Sequence, residues 1–337
     1  MAEKNNFKIS VVIPAFNAED YIPTLLKGIE TQTLLPEEIV IVDSSETNRT
    51  AEIVKEWKGI IPIHYHKVDF AYPGQARNIG VTLAKAEWIA FIDCRTFPER
   101  NWLETCVAVA RKSNVGFVGA LVTSEANSHY GQILCAATHG AAPFKPLVGS
   151  LVSKRIFKQT GGFLSDIRSG EDIDWLNRME KLRIKMEYVT TPLIKYSGFP
   201  SSLIATIKKW HIYTTAVAKI EVYNNQKKLY FFILFFLLFV VVYKWNALFA
   251  GWDERSIYYV PNITKLFIAF SFALYVFYRG IIRPLQLKVK LSFLLPWRWF
   301  EISFVGFCLD ITKAPGLIWG AILLLRRRLE IIIKKQK

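Results

Sequence analysis

Cysteine is scarce in this 337-residue sequence, which has four in total. Their positions, Cys94, Cys106, Cys135 and Cys308, show no paired spacing. This pattern excludes a small disulfide-stabilised secreted domain and favours a reducing compartment for the soluble part. The N-terminus, MAEKNNFKIS, also lacks the apolar core of a signal peptide. We therefore expect the soluble part of the chain to lie in the cytoplasm.

Zinc-finger, homeodomain and basic-zipper signatures are also missing, although the chain is strongly basic. The formal net charge is +15 and the pI is about 9.6. A basic balance is typical of proteins that bind nucleic acid, anionic lipid or phosphorylated substrates. Because the C-terminal basic residues stand beside apolar runs, the sequence favours a lipid surface over nucleic acid.

Long apolar runs are absent up to about residue 228 and frequent beyond it. Residues 229–250 approach the ~20 apolar residues needed to cross a bilayer, and residues 263–282 form a second such run. The sequence therefore predicts a soluble domain over residues 1–205, a juxtamembrane linker over 206–228 and a membrane domain over 229–337. We expect the protein in the cell (inner) membrane, with its soluble domain on the cytoplasmic side.

A third apolar segment, residues 299–325, is interrupted by Glu301, Asp310, Lys313 and a Pro-Gly pair at 315–316. A charged residue at the centre of a span costs ~2.5–3.5 kcal/mol on insertion scales. A third crossing would also place the basic tail outside, against the positive-inside tendency. We therefore predict an interfacial or re-entrant hairpin here.

The soluble part alternates short apolar runs with helical patterns. The runs KISVVIPA, EEIVIVD and EWIAFID are typical of buried parallel strands. Residues 20–32, 46–58 and 73–85 carry apolar positions at helical spacing. This alternation predicts an α/β domain with a mostly parallel, Rossmann-like sheet.

Two aspartates follow two of these runs, Asp43 and Asp93. Ligands bind outside the carboxyl ends of strands in open α/β sheets, so both acids are candidates for contact with a nucleoside, a metal or both. The alternative is that each is an ordinary turn or N-cap residue.

The order of four motifs resembles the family 2 glycosyltransferases, inverting enzymes of the glycosyltransferase-A fold. The resemblance covers roughly residues 8–215. It rests on VVIPAFNAEDYI from Val11, IVDSSETNRT from Ile41, GQARNIGVTLAKAEWIAFID from Gly74, and GGF and SGEDIDW from Gly161 and Ser169.

The resemblance implies a nucleotide site at the carboxyl ends of the strands. Its members would be Pro14, Ala15, Asn17, Asp43, Arg77, Asn78, Asp93 and Arg95. Asp43 would accept a hydrogen bond from a nucleobase N–H. Arg77 and Asn78 match the family's Arg-Asn pair beside the nucleotide, and a guanidinium fork suits phosphate.

The sequence departs from the family at Asp93, where Asp-X-Asp is usual and Asp93-Cys94-Arg95 stands instead. Asp93 could still hold a divalent ion, Mg or Mn, together with substrate oxygens and water. Alternatively, Arg95 could neutralise the leaving diphosphate in place of the metal. A third account is that catalysis has been lost.

The SGEDIDW motif supplies the base that inverting transfer requires. By resemblance, Asp172 takes the proton from the acceptor hydroxyl, and Glu171 lies near the acceptor with Gly170. An acidic N-terminal turn of a helix is the structural alternative, and it is compatible with this role. Trp210 is placed on the acceptor side because it keeps the end of a motif found in processive relatives.

The sequence thus predicts a membrane-anchored, non-processive glycosyltransferase acting in cell-envelope glycoconjugate synthesis. Its partners would be a nucleotide diphosphate sugar and a lipid-linked or glycan acceptor at the membrane, and not nucleic acid. The alternatives are a catalytically silent scaffold that binds nucleotide sugars and a transport component built around the spans.

Overall fold

A computed structural model describes residues 7–217, 220, 246, 251–259 and 262–335 of the chain. These residues divide into two compact units. The first contains residues up to 126 and residues 142–199, and the second contains residues 127–141 and those from 200 onward. The first unit ends close to the predicted boundary at residue 205. The assignment of residues 127–141 to the second unit has no signal in the sequence pattern.

All eight strands of the described residues belong to the first unit. They are β1 (Ile9–Ala15), β2 (Glu38–Asp43), β3 (Ile63–Lys67), β4 (Trp88–Phe91), β5 (Thr96–Pro98), β6 (Phe117–Ser124), β7 (Leu151–Ser153) and β8 (Glu187–Tyr196). They form one sheet in the order β3-β2-β1-β4-β7-β6-β8-β5. Strands β3, β2, β1 and β4 run parallel, whereas β7 is antiparallel to both β4 and β6. The predicted α/β fold is confirmed as a mixed sheet whose first half is parallel.

Helices cover both faces of this sheet. They are α1 (Ile22–Glu30), α2 (Arg49–Glu56), α3 (Pro73–Leu83), α4 (Trp102–Ser113), α6 (Lys154–Thr160) and α7 (Glu171–Lys181). Alternate residues of the parallel strands point to opposite faces, and each set joins a separate apolar core. Val11 and Ile13 pack with α1 and α4, while Val12 packs with α3 and α7. Burial on both faces explains why these strands are continuous apolar runs.

The second unit is helical in its described part. It contains α5 (His129–Thr138), α8 (Leu203–Val217), Asn262–Phe277, a π-helical turn at Tyr278–Ile282, two short helices at Arg283–Gln286 and Leu291–Leu294, and Arg298–Lys335. Its helices are joined by buried polar contacts. Asp310 accepts a hydrogen bond from Tyr275 at 2.8 Å and forms an ion pair with Arg279 at 2.9 Å.

The structure describes only one of the two predicted membrane spans. The first predicted span, residues 229–250, lies outside the described residues except for Asn246. Within the part of the chain that the structure describes, no helix has both the length and the apolar character required to cross a bilayer. The predicted second span at 263–282 is therefore not supported.

The re-entrant hairpin predicted at residues 299–325 is wrong, while the alternative of an interfacial segment stays a prediction. One helix runs from Arg298 to Lys335 and passes through Pro315 without ending. Proline inside a helix removes one backbone hydrogen bond and crowds the preceding turn, which is why the sequence suggested a break. Leu309 and Ala314, in the turns that precede the proline, are buried.

Candidate active site

Asp43 and Asp93 lie at one edge of the sheet, as predicted. Asp43 is the last residue of β2, and Asp93 follows β4 by two residues. Strand β1 runs between β2 and β4 and is parallel to both. The three carboxyl ends therefore meet at the same edge, with the segment after β1 between the two acids.

Asp43 is fully buried and accepts hydrogen bonds on both carboxylate oxygens. Oδ1 accepts from the backbone N–H of Ser45 at 2.9 Å and from the Ser45 hydroxyl. Oδ2 accepts from the Tyr65 hydroxyl at 2.5 Å and pairs with the Lys67 ammonium at 3.5 Å. These four donors occupy the acceptor positions of a carboxylate. A nucleobase N–H would have to displace one of them, so the predicted base contact stays a prediction.

The turn after β1 is tied to β2 through Ser45. The backbone N–H of Asn17 donates to Ser45 Oγ at 2.7 Å, and Asn17 has a left-handed conformation with φ of 46°. Asparagine tolerates this region better than most residues. Pro14 and Ala15 end β1 beside Val42 and Asp43 of β2. The three predicted pocket residues thus lie at the carboxyl edge, with Asn17 exposed.

Arg77 is buried on α3 and joins two acids from different elements. Its Nη1 lies 2.6 Å from Glu171 Oε1, and its Nη2 lies 2.8 Å from Asp93 Oδ1. Burial acts to lower the pKa of this guanidinium, but the carboxylates of Asp93, Glu171 and Asp172 outweigh it and raise the pKa. Arg77 was predicted to contact the nucleotide, yet two of its donors are committed to protein carboxylates. Its Nε has no hydrogen-bond partner among the described residues.

Among the described residues, no donor contacts the second carboxylate oxygen of Asp93. Its side chain is 38% exposed, and Arg77 contacts only Oδ1. No group of three His, Cys, Asp or Glu side chains suited to a metal is found within the described ranges. Oδ2 of Asp93 fits a divalent ion as a single protein ligand, with the remaining oxygens coming from substrate and water.

Arg95 is exposed and lies over an aromatic ring. Its Cζ is 5.2 Å from the centre of the Tyr21 ring, just before α1. Among the described residues, no carboxylate lies within ion-pair distance of Arg95. Its charge is therefore available at the same edge as Asp93.

Helix α7 begins at the predicted catalytic motif. Gly170 is its N-cap and has φ of 89°, a conformation that glycine adopts without strain. Glu171 is buried against Arg77, while Asp172 is partly exposed and accepts a hydrogen bond from the N–H of Ile173 at 2.8 Å. Burial raises the pKa of both carboxyl groups, and Arg77 opposes this rise without cancelling it. A carboxylate with a raised pKa is a stronger base than a solvated one.

Asn78 holds the GGF turn against α3. Its Nδ2 donates to the carbonyl of Phe163 at 2.9 Å, and its Oδ1 accepts from the N–H of Phe163 at 2.8 Å. The predicted nucleotide contact of Asn78 stays a prediction, because both ends of its amide are engaged by the main chain. Asp174 points away from the acids and pairs with Arg178 at 2.9 Å.

Sequence reasoning missed the partners of Asp43. Tyr65 and Lys67 both lie on β3, whose pairing places Lys67 opposite Asp43. The alternation in IHYHK carried this signal, since residues two apart share one face of a strand. His64 faces the other way and lies 3.1 Å from Glu38, a carboxylate that the sequence pattern did not reveal as its partner.

Trp210, the predicted acceptor-side residue, lies on α8 in the second unit. Lys209 lies near its ring, with Nζ 5.8 Å from the ring centre. Its predicted contact with the acceptor stays a prediction.

Residues 10–134 match the family model for glycosyl transferase family 2. This range contains the first three sequence motifs and most of the carboxyl-edge residues described above. The resemblance predicted from the sequence is therefore supported over residues 10–134, which form a little over a third of the chain.

Curated relatives match over part of their length. The chain is 25% identical to the chondroitin synthase of Escherichia coli over 207 residues, which is 60% of this chain and 28% of the relative. It is 28% identical over 105 residues to the poly(ribitol-phosphate) β-N-acetylglucosaminyltransferase TarS of Staphylococcus aureus, covering 30% of this chain and 18% of TarS. In both cases the matched region covers less than a third of the relative's own length.

Among solved structures, the fold is similar to a mannosyltransferase of Pyrobaculum calidifontis in complex with GDP-Man and Mn2+. The TM-score is 0.54 and the identity 14%, with 94% of this chain and 88% of the other covered. At this level of identity the similarity concerns the fold.

Proposed function

We propose that this chain is a family 2 glycosyltransferase that transfers a sugar from a nucleotide diphosphate donor to a hydroxyl acceptor with inversion. One observation carries the proposal. Arg77 joins Asp93 and Glu171 at the carboxyl edge, and Asp172 stands next to Glu171 with a raised pKa. A base and the exposed guanidinium of Arg95 thus share this edge, as displacement of a diphosphate at an anomeric carbon requires.

In the proposed reaction, the acceptor oxygen attacks the anomeric carbon while Asp172 takes the hydroxyl proton. The bond from the anomeric carbon to the diphosphate oxygen breaks, and its electron pair leaves with the nucleoside diphosphate. Glu171 and Asp93 hold Arg77 in place beside these groups. A divalent ion, Mg or Mn, on the free oxygen of Asp93 would supply positive charge to the leaving diphosphate.

We also propose that the acceptor is a lipid-linked molecule or a glycan. The protein would act at the inner membrane, in cell-envelope glycoconjugate synthesis. Support comes from the second unit, where large apolar side chains are exposed between basic residues. Trp297 is 71% exposed and Phe304 is 58% exposed. Lys288, Lys290 and Arg298 occur in the same stretch. Apolar side chains flanked by cations are typical of surfaces that enter the interface of an anionic membrane.

Release of nucleoside diphosphate from a panel of uridine- and guanosine-diphosphate sugars tests the transferase. We expect the full chain to release it with at least one donor, and Asp172→Asn to lower the rate about a hundredfold or more because the proton acceptor is lost. Asp166 is an exposed acid in the loop before α7, and the control variant Asp166→Asn should leave the rate unchanged.

Binding of nucleotide sugars with no turnover, and with no difference between wild type and Asp172→Asn, would favour the alternative of a silent scaffold. Parallel assays with chelator and with added Mn²⁺ decide whether an ion at Asp93 is required.

A further inference from the structure

Two arginines at the carboxyl edge lie over aromatic rings of one short segment. The segment joins β1 to α1 and begins with Phe16 and ends with Tyr21. Arg168 has its Cζ 5.6 Å from the centre of the Phe16 ring, and Arg95 has its Cζ 5.2 Å from that of Tyr21. The two guanidinium groups therefore bracket a segment of six residues.

Neither arginine has an acidic partner in the described part of the chain. Within the residues that the structure describes, no carboxylate lies within ion-pair distance of Arg95 or Arg168. Arg77 differs, because its two Nη atoms are each paired with an acid. Counted formally, Arg77 with Asp93 and Glu171 has one positive and two negative charges. This net negative group repels an anion unless other cations lie nearby.

The two arginines lie close in sequence to the reacting groups. Arg95 is two residues after Asp93, and Arg168 is four residues before Asp172. An arginine over an aromatic ring has fewer accessible orientations, and its N–H edge stays free for a planar anion. Such an arrangement reduces the entropy lost when phosphate oxygens bind.

We propose that Arg95 and Arg168 form a two-arginine clamp for the diphosphate of the donor, positioned by Tyr21 and Phe16. The proposal rests on the proposed function and assigns the phosphate contacts to these residues instead of Arg77. Arg168 had no role in the sequence-based prediction. Arg95 stands in the sequence where the resembled metal motif has its second aspartate, and Arg168 would add a second cation at the same edge.

The clamp is tested by comparing the affinity for a nucleoside diphosphate with the affinity for the matching monophosphate. Calorimetry with UDP and UMP, and with GDP and GMP, first finds the base that the wild-type chain binds, in chelator and in Mn²⁺. We expect wild type to prefer the diphosphate in chelator. Arg168→Ala and Arg95→Ala should each lower this preference about 10- to 100-fold, as expected for loss of a charge-assisted hydrogen bond.

Three further variants separate the clamp from general damage. Arg155→Ala removes an exposed arginine on α6, which begins at the opposite edge of the sheet beside the start of β4, and should change nothing. Arg168→Lys should recover part of the preference, since it keeps charge but not the planar fork. Phe16→Leu should lower the preference less than Arg168→Ala, because it only loosens the arginine. Melting temperatures of all variants show that each is folded.

The clamp is overturned if Arg168→Ala keeps the wild-type ratio of diphosphate to monophosphate affinity. It is also overturned if the preference exists only with Mn²⁺ and is independent of both arginines. Absence of binding by the wild-type chain to all four nucleotides, with no turnover of any nucleotide sugar, would instead reject the proposed function and the clamp with it.

Discussion

Asp172 lies near two acids, Asp93 and Glu171, that share a single cation, Arg77. Glu171 and Asp93 each contact one nitrogen of the guanidinium, and Asp172 is left without a direct cation. Its carboxylate accepts a hydrogen bond from the N–H of Ile173 at 2.8 Å. Burial therefore dominates, and the pKa of Asp172 rises above its ordinary value of about 3.9.

The raised pKa has opposite effects on activity and on folding. Because the folded state binds the Asp172 proton more tightly than the unfolded state, this residue favours folding at low pH. That contribution is lost as the pH rises from about 3.9 through the raised pKa. We expect Asp172→Asn, a neutral residue of the same shape, to raise the melting temperature at neutral pH. Below about pH 3.9 the variant and wild type should coincide.

Melting curves across pH for wild type, Asp172→Asn and the exposed control Asp166→Asn provide the measurement. Turnover of the wild type should fall as acid protonates the base, with its midpoint above the ordinary aspartate pKa. A lower melting temperature for Asp172→Asn at neutral pH would mean that the ionised group is stabilised by Arg77 and that its pKa is not raised.

At the residue scale, the sequence predicted which acids lie at the carboxyl edge but not what surrounds them. Asp43 and Asp93 follow apolar runs, and parallel strands bring such positions together. The four donors on Asp43 come from Ser45, Tyr65 and Lys67. The Ser45 donors are two residues from Asp43, whereas pairing Tyr65 and Lys67 with Asp43 required the parallel register of β2 and β3.

At the scale of elements, the sequence predicted the strands that are buried on both faces. It did not predict the short or irregular strands. Strands β1, β2 and β4 are buried on both faces and have continuous apolar runs. Strand β5 has three residues and β7 has three, too few for a periodic signal. Strand β8 is ten residues long but alternates imperfectly and contains Pro192. The mixed half of the sheet, in the order β7-β6-β8-β5, therefore went unpredicted.

The contact between α3 and α7 makes the site depend on a glycine. A Cβ added to Gly74, in the first turn of α3, would lie 2.2 Å from the carbonyl oxygen of Leu164 and 3.0 Å from Cγ of Glu171. Because the first of these atoms is backbone, a methyl group must push the segment before α7 away from α3. The distance between Arg77 on α3 and Glu171 on α7 would change with it.

We expect Gly74→Ala to lower turnover strongly and to destabilise the fold by about 1–3 kcal/mol, as overpacking does. Gly28→Ala is the matched control, since it also lies inside a helix and its Cβ would meet Pro98 at 3.4 Å, an ordinary contact. That variant should be neutral or slightly stabilising because alanine favours helix. Turnover and urea unfolding measure both effects, and equal behaviour of the two variants would contradict the proposed role of the α3–α7 contact.

At the scale of the whole molecule, the net charge of +15 is accompanied by exposed apolar side chains in the second unit. Leu291, Leu295, Trp297, Phe300 and Phe304 are all exposed, within a stretch of 14 residues that also carries Arg298. Lys288 and Lys290 directly precede the stretch, and we name residues 288–304 the apolar-basic segment. Exposure of these large apolar side chains to water is unfavourable by roughly 25 cal/mol per Å² of apolar surface. An anionic lipid surface would remove that cost and pair with the cations.

The apolar-basic segment should enter the lipid interface when the full chain meets anionic vesicles. Trp297→Cys labelled with a polarity-sensitive fluorophore should shift its emission to the blue with phosphatidylglycerol in phosphatidylcholine vesicles. The control is Ile60→Cys, an apolar position in the first unit that is 75% exposed, and it should keep the emission of a water-exposed label. Unsubstituted protein labelled in parallel corrects for the native cysteines.

Charge is tested separately by Lys288→Glu combined with Lys290→Glu in the Trp297→Cys background. Each cation near an anionic surface contributes about 1 kcal/mol, so reversing two should shift the vesicle titration by more than tenfold. Added salt should act in the same direction, since it screens charges over about 10 Å at 0.1 M. The fluorophore at position 297 reports only its own surroundings. Vesicle binding through residues 229–250 would therefore not by itself shift its emission. A label at 297 that stays in water with every vesicle would exclude the segment as a lipid contact and leave its apolar side chains to another partner.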